Sequence, residues 1–207
     1  MKRTTCRILP VLTIALVIAT VSGVASAQDD SPFTTNYFTN NTTEGAPAGT
    51  LQLSNDGATV STTFFGRGFS AQTLCANIYV FAADQQIAEC CSCPVTPNGL
   101  VEENIKTDLL GNPLTRVTPN QGVIQIVAAV DTGVCDPTTI ANLSRGLTAW
   151  TTHIGNEVGG AFPVSVTQNS PSTLSAAELN TLQLDCRFAI LVGSGFGVCS
   201  CNAEAVN

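Results

Sequence analysis

Histidine, tryptophan and methionine each occur once in this chain, tyrosine occurs twice, and only 11% of its residues are charged. Each shortage narrows the functions open to it. With His153 as the sole histidine, a Ser-His-Asp arrangement has a single possible base, and there is no Gly-x-Ser-x-Gly elbow for it to serve. Gly193-Ser194-Gly195 has the wrong spacing for such an elbow. No Cys-x-x-Cys occurs, which argues against thiol redox catalysis. No Gly-rich phosphate loop and no internal repeat is present, and no cofactor is expected. Trp150 with Tyr37 and Tyr79 is a thin aromatic supply for stacking sugars. Eight basic residues face fifteen acidic ones, so phosphate backbones and anionic lipid are repelled, and nucleic acid is a poor partner. No apolar run reaches the roughly 20 residues of a membrane span.

What is present first reads as an export address. Lys2, Arg3 and Arg7 precede an apolar stretch from Ile8 to Val21, and Ala25-Ser26-Ala27 supplies small residues for cleavage, so residues 1–27 read as a secretory signal peptide. Cleavage there removes three of the eight basic residues and none of the acidic ones, leaving five against fifteen, a formal charge of −10. The expected location is secreted, periplasmic or on the cell surface. Residues 28–49 are polar, with Asn40-Asn41-Thr42-Thr43 and Gly45-Ala46-Pro47, and read as a tail or linker. Phe33, Tyr37 and Phe38 are out of place in a free tail; they are expected to pack on the domain's own surface, or else to dock on another molecule. Residues 50–207 are expected to form a single disulfide-rich β domain.

Eight cysteines remain after cleavage: Cys75, Cys90, Cys91, Cys93, Cys135, Cys186, Cys199 and Cys201. An even number in an exported chain predicts four disulfides, whose connectivity spacing alone leaves open. In an extended segment Cys91 and Cys93 share a face and Cys90 points the other way, and Cys199 and Cys201 likewise share a face. A vicinal Cys90–Cys91 bridge would be strained, so those two should take different partners. Leu74 to Phe81 is apolar on both faces and suits a central strand. A turn near Ala83-Asp84 should return the chain through Ile87, placing Cys75 opposite Cys90 or Cys91. A bridge across that hairpin would close a loop of about 15 residues, worth roughly 3 kcal/mol.

Along the rest of the chain, Thr50 to Asn55, Thr59 to Phe65, Leu100 to Ile105, Val123 to Val130 and Leu147 to Ile154 read as strands, and Asn55-Asp56-Gly57 as a turn. Asp136-Pro137 is read as capping a short helical turn. The strongest helix signal is Ser175 followed three residues later by Glu178, a capping box, with Leu174 and Leu179 placed as a hydrophobic staple. Leu179, Leu182, Cys186 and Ile190 keep helical spacing, Gly193 and Gly195 should end the helix, and Cys186 can tether it. The expected fold is mainly β: a disulfide-stapled, sandwich-like domain with a C-terminal helix.

Three segments carry a resemblance: Leu74-Cys75-Ala76-Asn77-Ile78-Tyr79-Val80-Phe81, Glu89-Cys90-Cys91-Ser92-Cys93-Pro94-Val95-Thr96-Pro97-Asn98-Gly99-Leu100, and Gly193-Ser194-Gly195-Phe196-Gly197-Val198-Cys199-Ser200-Cys201. They are similar to segments of uncharacterised, secreted, cysteine-rich proteins of environmental bacteria, over roughly Thr50 to Cys201. The resemblance implies an exported cysteine-rich domain. That group has no established activity, so no functional residue carries over.

The candidate chemistry is sparse. His153 should share a strand face with Leu147, Ala149 and Thr151, and a structural role is favoured over a catalytic one. Cys90-Cys91-x-Cys93 with Cys199-x-Cys201 could offer four thiolates to zinc or copper(I), but export favours their oxidation. Asp131 and Asp136 around Gly133 suit turns better than calcium. Glu102 and Glu103 are adjacent and face opposite ways on a strand, so they are no acid–base pair. No catalytic, cofactor-binding or metal-binding residue is assigned. The leading expectation is a non-enzymatic exported module, structural, adhesive or ligand-binding, whose partner is an extracellular protein or a glycan. The alternatives are a secreted hydrolase with an unfamiliar site and a thiolate metal-binding protein.

Overall fold

The computed structural model describes residues 31–62 and 69–201. The signal-peptide reading therefore lies outside the described residues, as does the part of the Thr59–Phe65 strand beyond Thr62. The described chain forms strands β1 (Phe33–Phe38), β2 (Thr50–Asn55), β3 (Val60–Thr62), β4 (Phe69–Ala71), β5 (Leu74–Ala82), β6 (Ile87–Val95), β7 (Leu100–Asn104), β8 (Gly122–Val130), β9 (Leu147–Ile154), β10 (Val164–Gln168) and β11 (Ser170–Pro171), the helix α1 (Ala176–Val192) and one short π-helical turn. A five-stranded sheet runs β11-β1-β8-β5-β6, a four-stranded sheet runs β10-β9-β2-β7, and β3 and β4 form a separate ribbon. All strand pairs are antiparallel.

The two larger sheets face each other across one core. Ile78, Val80, Ile124 and Ile126 come from the five-stranded sheet, and Leu51, Leu53, Leu147 and Ala149 from the four-stranded one. Each fully buried Leu or Ile in that seam contributes about 1.5–3 kcal/mol relative to exposure. A second cluster lies on the opposite face of the five-stranded sheet, where Phe33, Tyr79, Cys90 and Val127 meet Leu182, Cys186 and Ala189 of α1. The five-stranded sheet is thus covered on both faces along β5, while Tyr37 and Val123 at its far end stay exposed on the helix side. That is why Leu74 to Phe81 carries no polar face: seven consecutive residues, Leu74 to Val80, are buried. The four-stranded sheet is covered on one face only, and β2 alternates between part-exposed and buried along its whole length.

Within residues 28–49, read as a polar tail or linker, Phe33–Phe38 is instead a strand of the five-stranded sheet. β1 sits between β8 and β11, in register from Phe33 opposite Val127 to Phe38 opposite Gly122. Phe33 and Phe38 are core residues, one in each hydrophobic cluster. A Cβ on Gly122 would lie 2.1 Å from the Phe81 carbonyl oxygen and 2.8 Å from the Phe38 ring, so the close approach at that end of the sheet requires glycine.

The hairpin of β5 and β6 turns where expected, but its register places Cys75 opposite Pro94, and Cys90 and Cys91 opposite Tyr79 and Ile78. The expected bridge from Cys75 to Cys90 or Cys91 is therefore replaced. Cys75 bonds to Cys135, Cys90 to Cys186, Cys91 to Cys199 and Cys93 to Cys201. The facing argument holds: Cys91 and Cys93 lie in the inter-sheet core, and Cys90 lies on the helix side. Vicinal Cys90 and Cys91 take different partners, so β6 is tied to α1 on one face and to the C-terminal segment on the other.

That segment also protects an edge. β6 is the last strand of its sheet, and residues 197–199 run alongside it, with the Cys90 N–H donating to Gly197 O at 2.9 Å and the Cys199 N–H to Cys90 O at 3.2 Å. An unpaired edge is a template for aggregation, and here it is paired at Cys90 by the segment that follows α1, which two disulfides hold in place. To reach that edge the chain leaves α1 through Ser194, Gly195 and Gly197, all at positive φ.

Ser175 caps α1 as expected, its hydroxyl accepting the Glu178 N–H at 3.0 Å. The buried stripe is Leu182, Cys186 and Ala189; Ile190 is more exposed than its spacing suggested. Asp136 makes a turn and no helix: its carboxylate accepts the Thr138 N–H and the Thr138 and Thr139 hydroxyls. After β7 the chain makes one π-helical turn, Ile105–Leu109, capped by the Asn104 side chain, which accepts from the Lys106 and Thr107 amides.

Candidate functional site

His153 lies on the inner face of β9 with Leu147, Ala149 and Thr151, all buried, as its place in the strand dictates. At this end of the sandwich β9 meets β1, and the core becomes polar. The imidazole packs against the Tyr37 ring, centroid to centroid 4.2 Å at 36°. Its Nε2 is hydrogen-bonded to the Thr167 hydroxyl of β10. That hydroxyl also accepts from the Asn36 amide at 3.2 Å, so its own proton is free to go to Nε2. Asn36 donates as well to Asn169 Oδ1 at 2.9 Å, which accepts the Thr151 hydroxyl proton at 2.8 Å. Burial holds the His153 pKa below its ordinary value of 6.5, favouring the neutral ring. Nδ1 and the Asn169 amide nitrogen are buried without a hydrogen-bond partner. The cluster clamps β1 to β9 and β10 through an aromatic contact and a chain of amides and hydroxyls.

The carboxylates divide as their positions on the strand require. Glu102 is exposed on the outer face of β7 and accepts from the Gln52 amide at 2.6 Å, while Glu103 is fully buried, with Oε1 4.0 Å from the Cys93 sulfur. Glu89, on β6, is also fully buried. Its Oε1 accepts the Asn112 N–H at 2.7 Å, yet burial outweighs that bond and pushes its pKa up to about 8. It is therefore mostly protonated at neutral pH and belongs to the packing beneath the loop at Asn112. That loop is itself held by the Gly197 N–H to Asn112 O bond and by Arg116 stacked on the Phe196 ring.

A cleft of about 40 Å³ opens beside the Cys75–Cys135 bond, lined by Asn77, Thr132, Asp136 and Ile140 among others. It is large enough for a water molecule and too small for an organic substrate. Asp131 and Asp136 both serve turns here; the Asp131 carboxylate accepts the Gly133 N–H at 2.7 Å. Tyr79 donates its hydroxyl proton to Pro137 O at 2.6 Å, fastening the same loop to the sheet. Of the cysteines grouped in the sequence, the sulfurs of Cys91, Cys93 and Cys201 lie within 4.8 Å of one another, whereas Cys90 faces the helix; all of them are engaged in disulfides.

The remaining surface with organised chemistry is the outer face of the four-stranded sheet. The strand registers place Glu102 beside Gln52, Gln52 beside Trp150, and Trp150 beside Gln168, one residue from each of β7, β2, β9 and β10 in a single row. A parallel row holds Thr50, Thr152 and Val166, the two threonine hydroxyls 2.8 Å apart. Reasoning from sequence recognised Trp150 and β9 but missed the row. The signal available was alternation in β2 and β9; the pairing that brings the strands together is long-range, and β10 went unread between Gly159-Gly160 and Pro171. No family model, curated protein or solved structure matches the chain.

Proposed function

We propose that the mature chain is an exported, non-enzymatic module that binds a partner at or beyond the cell surface. The observation that carries this reading is the division of labour between the sheets. The five-stranded sheet is covered on one side by the core and on the other, around Tyr79, Cys90 and Val127, by α1 and the disulfide-tied loop, leaving Tyr37 and Val123 exposed at one end, whereas the four-stranded sheet turns a whole strand face to solvent. Four disulfides and the signal-like leader support export. Among the described residues, no helix is long and apolar enough to cross a membrane. His153 serves packing: its ring contacts are an aromatic ring and a threonine hydroxyl that the Asn36 amide already engages.

A secreted hydrolase is the second reading, and one contact favours it. The Thr167 hydroxyl on His153 Nε2 has the form of a nucleophile and its base. The two readings part in a turnover screen of purified mature protein on peptide, ester and glycoside substrates, with His153→Ala alongside. The module reading expects no turnover by either protein. Turnover that vanishes in a folded His153→Ala variant would establish the hydrolase instead.

A further inference from the structure

We infer that the row Glu102–Gln52–Trp150–Gln168 on the outer face of the four-stranded sheet is a binding subsite for a neutral polysaccharide. The inference deepens the module reading and rests on it.

Directly paired residues of antiparallel strands point to the same face, so the registers place these four side chains side by side. Neighbouring strands lie about 4.8 Å apart, and the row therefore spans about 14 Å, the length of a short oligosaccharide. At its centre is an indole, a flat plate that an apolar sugar face can cover. On either side is an amide that offers two N–H donors and a carbonyl acceptor, the complement of vicinal hydroxyls. Gln52 is held in place: its amide nitrogen donates to Glu102 Oε2 at 2.6 Å, which leaves its carbonyl oxygen and second N–H for a ligand. The face is open, with Glu102 and Gln168 exposed and Gln52 and Trp150 part-exposed.

The charge selects among glycans. The row carries one carboxylate and no cation, and the chain as a whole has a formal charge of −7. Uronate and sulfate polymers would be repelled, whereas uncharged polysaccharides would not. A protein partner fits less well, because a stable interface buries about 800 Å² per partner around an apolar centre, and on this face the exposed apolar side chains are split to either side of the polar row, Leu100 on one side and Val164 and Val166 on the other.

Trp150 is the only tryptophan, so its emission reports on this row alone. The experiment titrates purified mature protein with a soluble β-glucan, xylan and, as the anionic arm, polygalacturonate, while insoluble cellulose and chitin are used for co-sedimentation. The expected result is a saturable emission change with a neutral polymer and none with polygalacturonate. Trp150→Ala should weaken co-sedimentation about tenfold or more, and Trp150→Phe less than that. Gln52→Ala and Gln168→Ala, each at an accessible position, should weaken binding several-fold even where the tryptophan variant folds poorly. His153→Ala should bind as wild type. Trp150 emission that no neutral polymer moves, preference for polygalacturonate, or wild-type binding by the glutamine variants would each overturn the subsite. Those results concern the row only; failure of the module reading shows itself separately, as His153-dependent turnover.

Discussion

Among single residues, Glu89 makes the sharpest pH prediction. Its pKa rises from an ordinary 4.5 to about 8 in the fold, so between those values the folded protein keeps a proton that the unfolded chain releases. Its contribution to stability is full below about pH 4.5 and is lost as the pH rises through about 8. His153 acts on the opposite flank: burial lowers its pKa, so stability falls as the pH drops below 6.5 and the unfolded chain takes up the proton first. Glu89→Gln keeps a carbonyl oxygen for the Asn112 N–H and removes the titration. Denaturation midpoints measured from pH 6 to 9 should decline for wild type and stay nearly level for Glu89→Gln; parallel curves would show that Glu89 is not held protonated. Neither buried carboxyl was legible in advance. Glu102 and Glu103 were rightly placed on opposite faces by strand alternation, but which of the two faced inward depended on how β7 pairs with β2.

At the scale of elements, local chemistry was readable and partnership was not. β2 occupies the span its alternation indicated and β9 the span its Thr-rich composition indicated, and α1 begins at the Ser175 cap. Ser175→Ala should lower stability by about 1 kcal/mol through loss of the bond to the Glu178 amide. An unchanged urea midpoint would show that this helix end gains nothing from its cap. β1 was misread because its polar flanks, Asn40 to Thr43 and Gly45 to Gly49, resemble a linker; its aromatics were the true signal, since Phe33 and Phe38 fill opposite faces of the sheet. The Cys90–Cys186 bond is the covalent tie between α1 and β6 and closes a loop with a sequence separation of 96. Replacing both cysteines with alanine should cost about 2–5 kcal/mol and expose α1 to proteolysis before the sheets. Cleavage of the sheets first would contradict that order.

Over the whole molecule, composition bounded the answer well: few charges and eight cysteines beyond the leader-like start led to a mainly β, disulfide-stapled sandwich with a C-terminal helix, which is the observed fold. The disulfide pairing was beyond reach because spacing carries no information about contacts 60 to 108 residues apart. Yet that pairing dictates the architecture. It commits β6 to the helix on one face and to the segment after α1 on the other, pairing its edge at Cys90 and leaving the four-stranded sheet to present a surface. The most direct measurement is a peptide map of the unreduced mature protein, with fragmentation between Cys90, Cys91 and Cys93 to separate their partners. The account predicts the linkages Cys75–Cys135, Cys90–Cys186, Cys91–Cys199 and Cys93–Cys201, and a gain of eight hydrogens in intact mass on reduction. Free thiols at Cys91, Cys93, Cys199 and Cys201 with bound metal, or a bridge from Cys75 to Cys90 or Cys91, would contradict it.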